Sequence, residues 1–505
     1  MNSMTELKKL YRKSWSQLPI LGLLLFSATW VWAQAAAPPP QTSTSTAATT
    51  EHDQKPASAS PPTQEQKISP KEAEELFRDV DEILHFASKD SGLPIKKEVK
   101  RRLTTRDEVV AYLEKNLAED KDAQRLRRSE LVLKKFGLLP RNFDLQTFLV
   151  ALLREQIAGY YDAKTKTVNL LDWIDVEQQR PVLAHELTHA LQDQFIGLEK
   201  WLKVGDTDLN DKKQPTATDI ENDEIGEARQ AVVEGQAMVV LVDYMLEPMG
   251  QSILGSPQIA DALKETMLVG TADSPQFKDA PIFLKEELTF PYRYGLDFET
   301  ELLRAGGKEK AFAATLGNPP RTTRQIMEPK TYLSAEQLEP MRLPDFERDF
   351  KNYQRFDIGA IGEFDVAVLL DQYSGTEASH NLYPHWRGGY YYAARPKGDP
   401  SAPLSLVYVS RWSSPEKASA FAAIYAQSLS KRYKQVHEGT SDEKNSSDNL
   451  QKIESLTGSH TWFTDEGPVV IVVNGDSVLI TESLDEPTTE RLRQELFGAA
   501  MTAGK

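Results

Sequence analysis

Apolar positions recur along this chain with two different periods, and the change between them divides it. Ala73, Leu76, Phe77, Val80, Ile83, Leu84 and Ala87 follow at the three-and-four spacing of an amphipathic helix. Ser69-Pro70-Lys71-Glu72 opens that run with an N-cap serine, a proline at the first helical position and the glutamate of a capping box, and Gly92 ends it. Thr105-Arg106-Asp107-Glu108 repeats the capped start, so residues 70–140 read as a helical segment. It reads as the first lobe of the domain that follows, with a propeptide as the competing reading. Asp144 to Ile157 is a further helix. Gly159 to Asp162 and Thr167 to Leu171 look like paired strands across a polar turn. The apolar runs around Val182–Leu191 and Glu227–Val242 predict two largely buried helices. Phe290-Pro291-Tyr292-Arg293-Tyr294-Gly295 and Pro319-Pro320-Arg321-Thr322-Thr323 carry proline or glycine signals and read as loops.

From about Gln354 the texture changes to short strands. Gly389–Ala393, Leu404–Val409, Val469–Val473 and Val478–Ile480 are strand-like, the last two joined by the hairpin turn Asn474-Gly475-Asp476. Amphipathic helices around 415–433 and 487–498 interleave with them. The expected fold class is therefore α+β. A mainly helical domain with a small β-hairpin spans 70–353, and a C-terminal α+β domain of helices on an antiparallel sheet spans 354–505.

The first residues follow neither period. Lys8, Lys9, Arg12 and Lys13 precede an apolar stretch, Leu18 to Trp32, that is short for a membrane span. Val31-Trp32-Ala33 suits signal peptidase, so 1–33 reads as a signal peptide cleaved after Ala33, with export to the periplasm or medium. Ala33-Gln34-Ala35 is an alternative cleavage site, and an uncleaved anchor is the competing reading. Residues 34–69 are rich in Ala, Pro, Ser and Thr and read as a disordered linker. The chain of 505 residues has no cysteine, which removes disulfides, thiolate metal ligands and cysteine nucleophiles. A net charge of −16 is a poor match for nucleic acid or an anionic membrane.

The candidate chemistry sits inside the first buried run: His185-Glu186-Leu187-Thr188-His189. Residues four apart on a helix lie nearly above one another, so both imidazoles leave one face about a turn apart. That spacing suits two ligands of one tetrahedral zinc ion, with Glu186 placed as general base toward an activated water. The same pattern can arise by chance on a solvated helix. Here the flanks Val182-Leu183-Ala184 and Ala190-Leu191 are apolar, and buried polar groups need partners. A catalytic zinc needs a third protein ligand. Position 195, where one zincin class carries its third histidine, is Phe195. Glu234 is the one acid deep in the apolar part of the second run and is the assigned ligand, with Glu227, two turns earlier, as rival. Gly235 beside it lets another backbone approach. Glu221 and Glu224 precede the apolar run and read as solvated.

These residues resemble the gluzincin metallopeptidases, in which two histidines of H-E-x-x-H and a glutamate on a following helix bind zinc. His185 to Ala190 is similar to the active-site helix of thermolysin-like enzymes, and Asp193 falls where those enzymes carry an acid. A closer resemblance, over roughly 150–335, is to uncharacterised exported bacterial zinc metallopeptidases. It rests on Arg154-Glu155-Gln156-Ile157-Ala158-Gly159-Tyr160-Tyr161-Asp162, the Val182–Gln194 helix, Val233-Glu234-Gly235-Gln236-Ala237 and Pro319–Ile326. Gln236 departs from the pattern, where an acid is expected. The resemblance implies a zincin-like domain holding Zn2+ on His185, His189 and Glu234, with Glu186 as base. It also implies that the strand before the zinc helix is the edge that binds extended substrate, with an ordinary structural hairpin as the competing reading.

Tyr160, Tyr161, Tyr244, Tyr294 and Arg321 could each stabilise an oxyanion. The acidic stretch Gly205–Asp223 lacks the glycine and glutamate positions of an EF-hand and reads as a solvated loop. His380 and His385 have no accompanying ligand set. Two functions remain. One is an exported zinc endopeptidase acting on peptide or protein substrates. The other is a non-catalytic envelope interaction protein with a structural zinc. Retention of Glu186, which is not a ligand, favours the first.

Overall fold

The computed structural model describes residues 67–109, 111, 120–156, 159–203, 212–259, 261–262, 275–439, 450 and 453–498. The signal-peptide reading over 1–33, nearly all of the proposed linker, and 205–211 of the acidic stretch lie outside the described residues. The fold is α+β.

Helix α1 (Pro70–Ser91) begins as its sequence dictates. Ser69 Oγ accepts from Glu72 N at 3.3 Å, Glu72 Oε2 accepts from Ser69 N at 2.6 Å, and Gly92 closes the helix at φ 74°. Strand β1 (Lys100–Thr104) follows. Thr105 and Glu108 then form the second capping box, Thr105 N donating to Glu108 Oε2 at 3.0 Å. After α2 (Asp120–Phe136) and α3 (Leu145–Gln156) come β2 (Tyr160–Asp162) and β3 (Thr167–Leu171). These strands make a small sheet of order β1-β3-β2, in which β1 runs parallel and β2 antiparallel to β3. Residues 70–104 are thus woven into the same unit as the helix that follows. Leu76, Val80 and Ile83 share one core with Leu183, Leu187 and Leu191 of α4 (Val176–Ile196).

Helix α5 (Ala217–Leu246) is longer than its apolar run, because a Thr216/Asp219 capping box starts it ten residues early. Helix α6 (Ile282–Glu309) corrects the sequence reading of Phe290–Gly295 as a loop, for it runs straight through Pro291. An interior proline costs about 3 kcal/mol locally. Here Phe290, Tyr292 and Leu296 are buried in the core, and that burial outweighs the lost bond. Gly295 serves close packing rather than a turn. Past a kink at Gly306 and Gly307, a π-helical turn spans Lys310–Ala314. The Pro319–Thr323 stretch is a loop that ends by capping a short helix, Thr322 Oγ1 accepting from Gln325 N.

The C-terminal part is a seven-stranded antiparallel sheet of order β4-β5-β6-β10-β9-β8-β7. Its elements in chain order are β4 (Tyr353–Ala360), α7 (Glu363–Ser374), β5 (Trp386–Pro396), β6 (Ser405–Trp412), α8 (Pro415–Arg432), β7 (Val436–Glu438), β8 (Gly458–Thr464), β9 (Gly467–Asn474), β10 (Ser477–Glu482) and α9 (Glu486–Phe497). Alternate residues of β6 serve different cores. Leu406 and Tyr408 face the core shared with α8 and the helical part, whereas Val407 and Val409 pack with Phe346, Leu492 and Leu496. Covering both faces explains why these strands read as continuous apolar runs. The sheet is also pinned to the helical part by Lys135 of α2. Its Nζ lies 2.8 Å from Glu466 Oε2 and 3.8 Å from Glu482 Oε2, beside the Arg432–Glu482 pair. No helix of the described residues is long and apolar enough to cross a membrane.

Candidate metal centre

Every residue of α4 from Val182 to Asp193 is buried. The helix is held at both ends: Asp175 accepts from Glu177 N at 2.9 Å, and Gly197 caps the C-terminus at φ 73°. It packs between α1 and α5, so its polar side chains can only meet partners supplied by the fold. Glu234, near the middle of α5, is one of them.

His185 Nε2 lies 3.0 Å from His189 Nε2 and 3.1 Å from Glu234 Oε2; His189 Nε2 lies 3.4 Å from the same oxygen. All three side chains are at most 1 % exposed. A tetrahedral ion with bonds of about 2.0–2.1 Å has ligand–ligand edges of about 3.3 Å. The donor edges of 3.0 to 3.4 Å are near that value, so the three side chains could hold a metal ion between two nitrogens and an oxygen. Among the described residues this is the one group of three such side chains with converging donor atoms. Gln230, one turn before Glu234, donates to Glu234 Oε1 at 2.7 Å and leaves Oε2 for the histidines.

The charges in this pocket respond to one another. Burial opposes ionisation of Glu234, but His189 and His185 overcome it and pull its pKa to about 2. Burial also disfavours a charged His189, yet the Glu234 carboxylate raises it to about 9. Burial lowers His185. Glu186 is raised to about 7, chiefly by burial. Its Oε2 accepts the Tyr161 backbone N–H at 2.7 Å, while Oε1 is buried with no hydrogen-bond partner among the described residues. His185 Nδ1 is likewise without one, so the two histidines are supported unequally.

The rival Glu227 does not join the group. It lies in a second cluster of carboxylates with Glu224, Glu287 and Asp365, where α5, α6 and α7 meet. Glu224 corrects another expectation: it is buried, with Oε1 accepting from Thr323 N at 2.9 Å. Burial first, then repulsion among neighbours, raises Glu224 to about 7, Glu287 to about 8, Asp365 to about 6, and Glu227 well above its ordinary range. An unfolded carboxyl titrates near about 4. At these sites the native state therefore holds more protons than the unfolded state between that value and about 8. The stability contribution is full below the unfolded pKa and is lost progressively as pH rises from there through the folded values of about 6 to 8. The melting temperature should fall between pH 6 and 8.5, and Glu287→Gln should flatten that slope in thermal scans.

The remaining sequence candidates have other partners. Asp193 accepts from Tyr161 Oη at 2.8 Å and from Leu198 N at 3.0 Å, and pairs with Lys166 at 2.6 Å. Tyr161 is thereby tied down. Tyr160 is buried on β2, Tyr244 packs against Phe86, Tyr294 packs against Phe290, and Arg321 is an exposed side chain near Glu221. An aromatic ring the sequence did not put forward for this role, Tyr292 of α6, stacks on His185 with centroids 6.3 Å apart. Strand β2 is a sheet edge, but its Tyr161 N–H is already bonded to Glu186. His380 and His385 bond to Thr376 O and Ser413 Oγ, with no ligand set around them among the described residues.

Residues 352–492 match a domain of unknown function, DUF8575. The match covers the seven-stranded sheet, α7, α8 and part of α9, and stops short of the helices that carry His185, His189 and Glu234. No curated protein and no solved structure matches the chain.

Proposed function

We propose that this protein is an exported zinc-dependent endopeptidase. The observation that carries the reading is the convergence of His185 Nε2, His189 Nε2 and Glu234 Oε2 on one point, beside a buried Glu186. His185, His189 and Glu234 would hold the ion. When bound, zinc polarises a carbonyl and acidifies water. Glu186 Oε1, free of other bonds, takes one proton from the water that attacks the scissile carbonyl and delivers it to the leaving nitrogen. The C–O bond forms as the C–N bond breaks, and the water's protons end on the amine and the new carboxyl group. The Tyr161 N–H holds the other oxygen of Glu186 and so aims the base. A structural zinc site has no use for such a carboxylate, which favours hydrolysis over the interaction-protein reading.

The purified protein should carry about one zinc per chain, as a single three-ligand site implies. His185→Ala, His189→Ala and Glu234→Ala should each lose most of it by elemental analysis, and Glu227→Ala should retain it. Full zinc in Glu234→Ala would remove the proposed ligand set.

A further inference from the structure

Behind His189 lies a chain of buried amides with a readable direction. His189 Nδ1 is 2.9 Å from Gln192 Oε1. Gln192 Nε2 donates to Val233 O at 3.0 Å and to Gln236 Oε1 at 2.9 Å. Gln236 Nε2 donates to Ala311 O at 2.7 Å and Phe312 O at 3.2 Å, both in the π-helical turn after α6. His189, Gln192 and Gln236 have no exposed surface.

Backbone carbonyls can only accept, which settles every orientation in turn. Facing two of them, the Gln236 amide must present its nitrogen there and its oxygen to Gln192. Gln192 must then present its nitrogen to that oxygen and to Val233 O. Only its oxygen is left for His189, so His189 Nδ1 must carry the proton. The lone pair of the neutral ring is then at Nε2, the atom that faces His185 and Glu234.

We propose that Gln192 and Gln236 are positioning residues, a one-way relay from the Ala311 and Phe312 carbonyls that fixes the His189 tautomer and thereby sets metal affinity. The affinity half rests on the metal reading above; the tautomer half does not. The relay also accounts for Gln236 where the resemblance leads one to expect an acid. A carboxylate there would have no N–H for the two carbonyls.

Two measurements test this. In 15N-histidine-labelled protein, His189 Nδ1 should be protonated and slowly exchanging both with zinc and after chelator treatment, its resonance being assigned by its loss in His189→Gln. An unprotonated Nδ1 overturns the relay whether or not zinc binds. Zinc affinity is then measured by chelator competition. Gln192→Leu removes the acceptor and should weaken binding about 10–100-fold, the usual effect of losing such a partner. Gln192→Glu keeps an acceptor for Nδ1–H but loses both donors. It should therefore melt as early as Gln192→Leu while binding zinc at least as tightly as wild type. Wild-type affinity in Gln192→Leu, or equal weakening in both variants, overturns the tautomer account. Wild type that takes up no zinc removes the metal reading instead, and the histidine spectrum still decides the relay. It decides likewise if Gln192→Leu fails to fold.

Discussion

Glu186→Gln should abolish most peptide cleavage while leaving the protein otherwise intact. The substitution keeps size and keeps an oxygen for the Tyr161 N–H, now bonded to Glu186 Oε2 at 2.7 Å. What it removes is the proton acceptor at Oε1. General-base catalysis is worth about 10²–10⁴-fold, so hydrolysis should fall by at least about two orders of magnitude. Glu186 is not among the converging donors, so zinc content and melting temperature should stay near wild type. The assay is a mixed peptide library read by mass spectrometry, with extended-peptide binding measured in parallel and retained. Equal cleavage by wild type and variant would point to another base or a contaminant. Zinc-loaded wild type that cleaves nothing, with the variant equally functional in cells, would leave the interaction-protein reading standing.

Gly235→Ala should be the most damaging of the small substitutions. A Cβ on Gly235 would lie 2.3 Å from the Gly295 carbonyl oxygen and 2.8 Å from its Cα. The obstacle is backbone on both sides, so no side-chain rotamer can relieve it. Helices α5 and α6 would have to move apart along the most extensive helix–helix contact among the described residues. Alanine recovers about 1 kcal/mol of helix propensity, but overpacking costs about 1–3 kcal/mol or more, and rigid surroundings place this case at the upper end. The melting temperature should drop by several degrees. Because Glu234 precedes the clash by one residue, zinc retention should drop with it. Gly295→Ala should behave alike, its Cβ falling 2.2 Å from Ala231 O. A Gly235→Ala protein with wild-type melting and full zinc would mean that the helices do not cross this closely.

The parts of the molecule that were legible are those whose causes are local. Ser69, Thr105 and Asp144 start helices through side chains that bond backbone within three residues, and the Asn474–Asp476 turn joins β9 to β10 with Asn474 paired to Ser477. His185, Glu186 and His189 share one helix, so their mutual placement follows from its pitch. Gln192 lies one turn beyond His189 and could have been found by the same spacing. The errors fall where contact is distant. Phe290–Gly295 carries a proline and a glycine and reads as a loop. Burial of Phe290, Tyr292 and Leu296, with Gly295 seated against Gly235, makes it helix. Glu224 reads as solvated because the residue that covers it, Thr323, is 99 positions away.

Sequence alone therefore determined the α+β class, the helix starts at Ser69, Thr105 and Asp144, and the pair of histidines with their glutamate, because each rests on interactions within a few residues. Tertiary structure decided which acid faces the histidines. Glu227 and Glu234 lie two turns apart on one helix face and are equivalent by periodicity. The crossing of α5 over α4, close to the Gly235–Gly295 contact, puts Glu234 beside them and leaves Glu227 among other carboxylates. Tertiary structure likewise assigned Gln236 its role, since the carbonyls that orient its amide come from a turn 75 residues downstream.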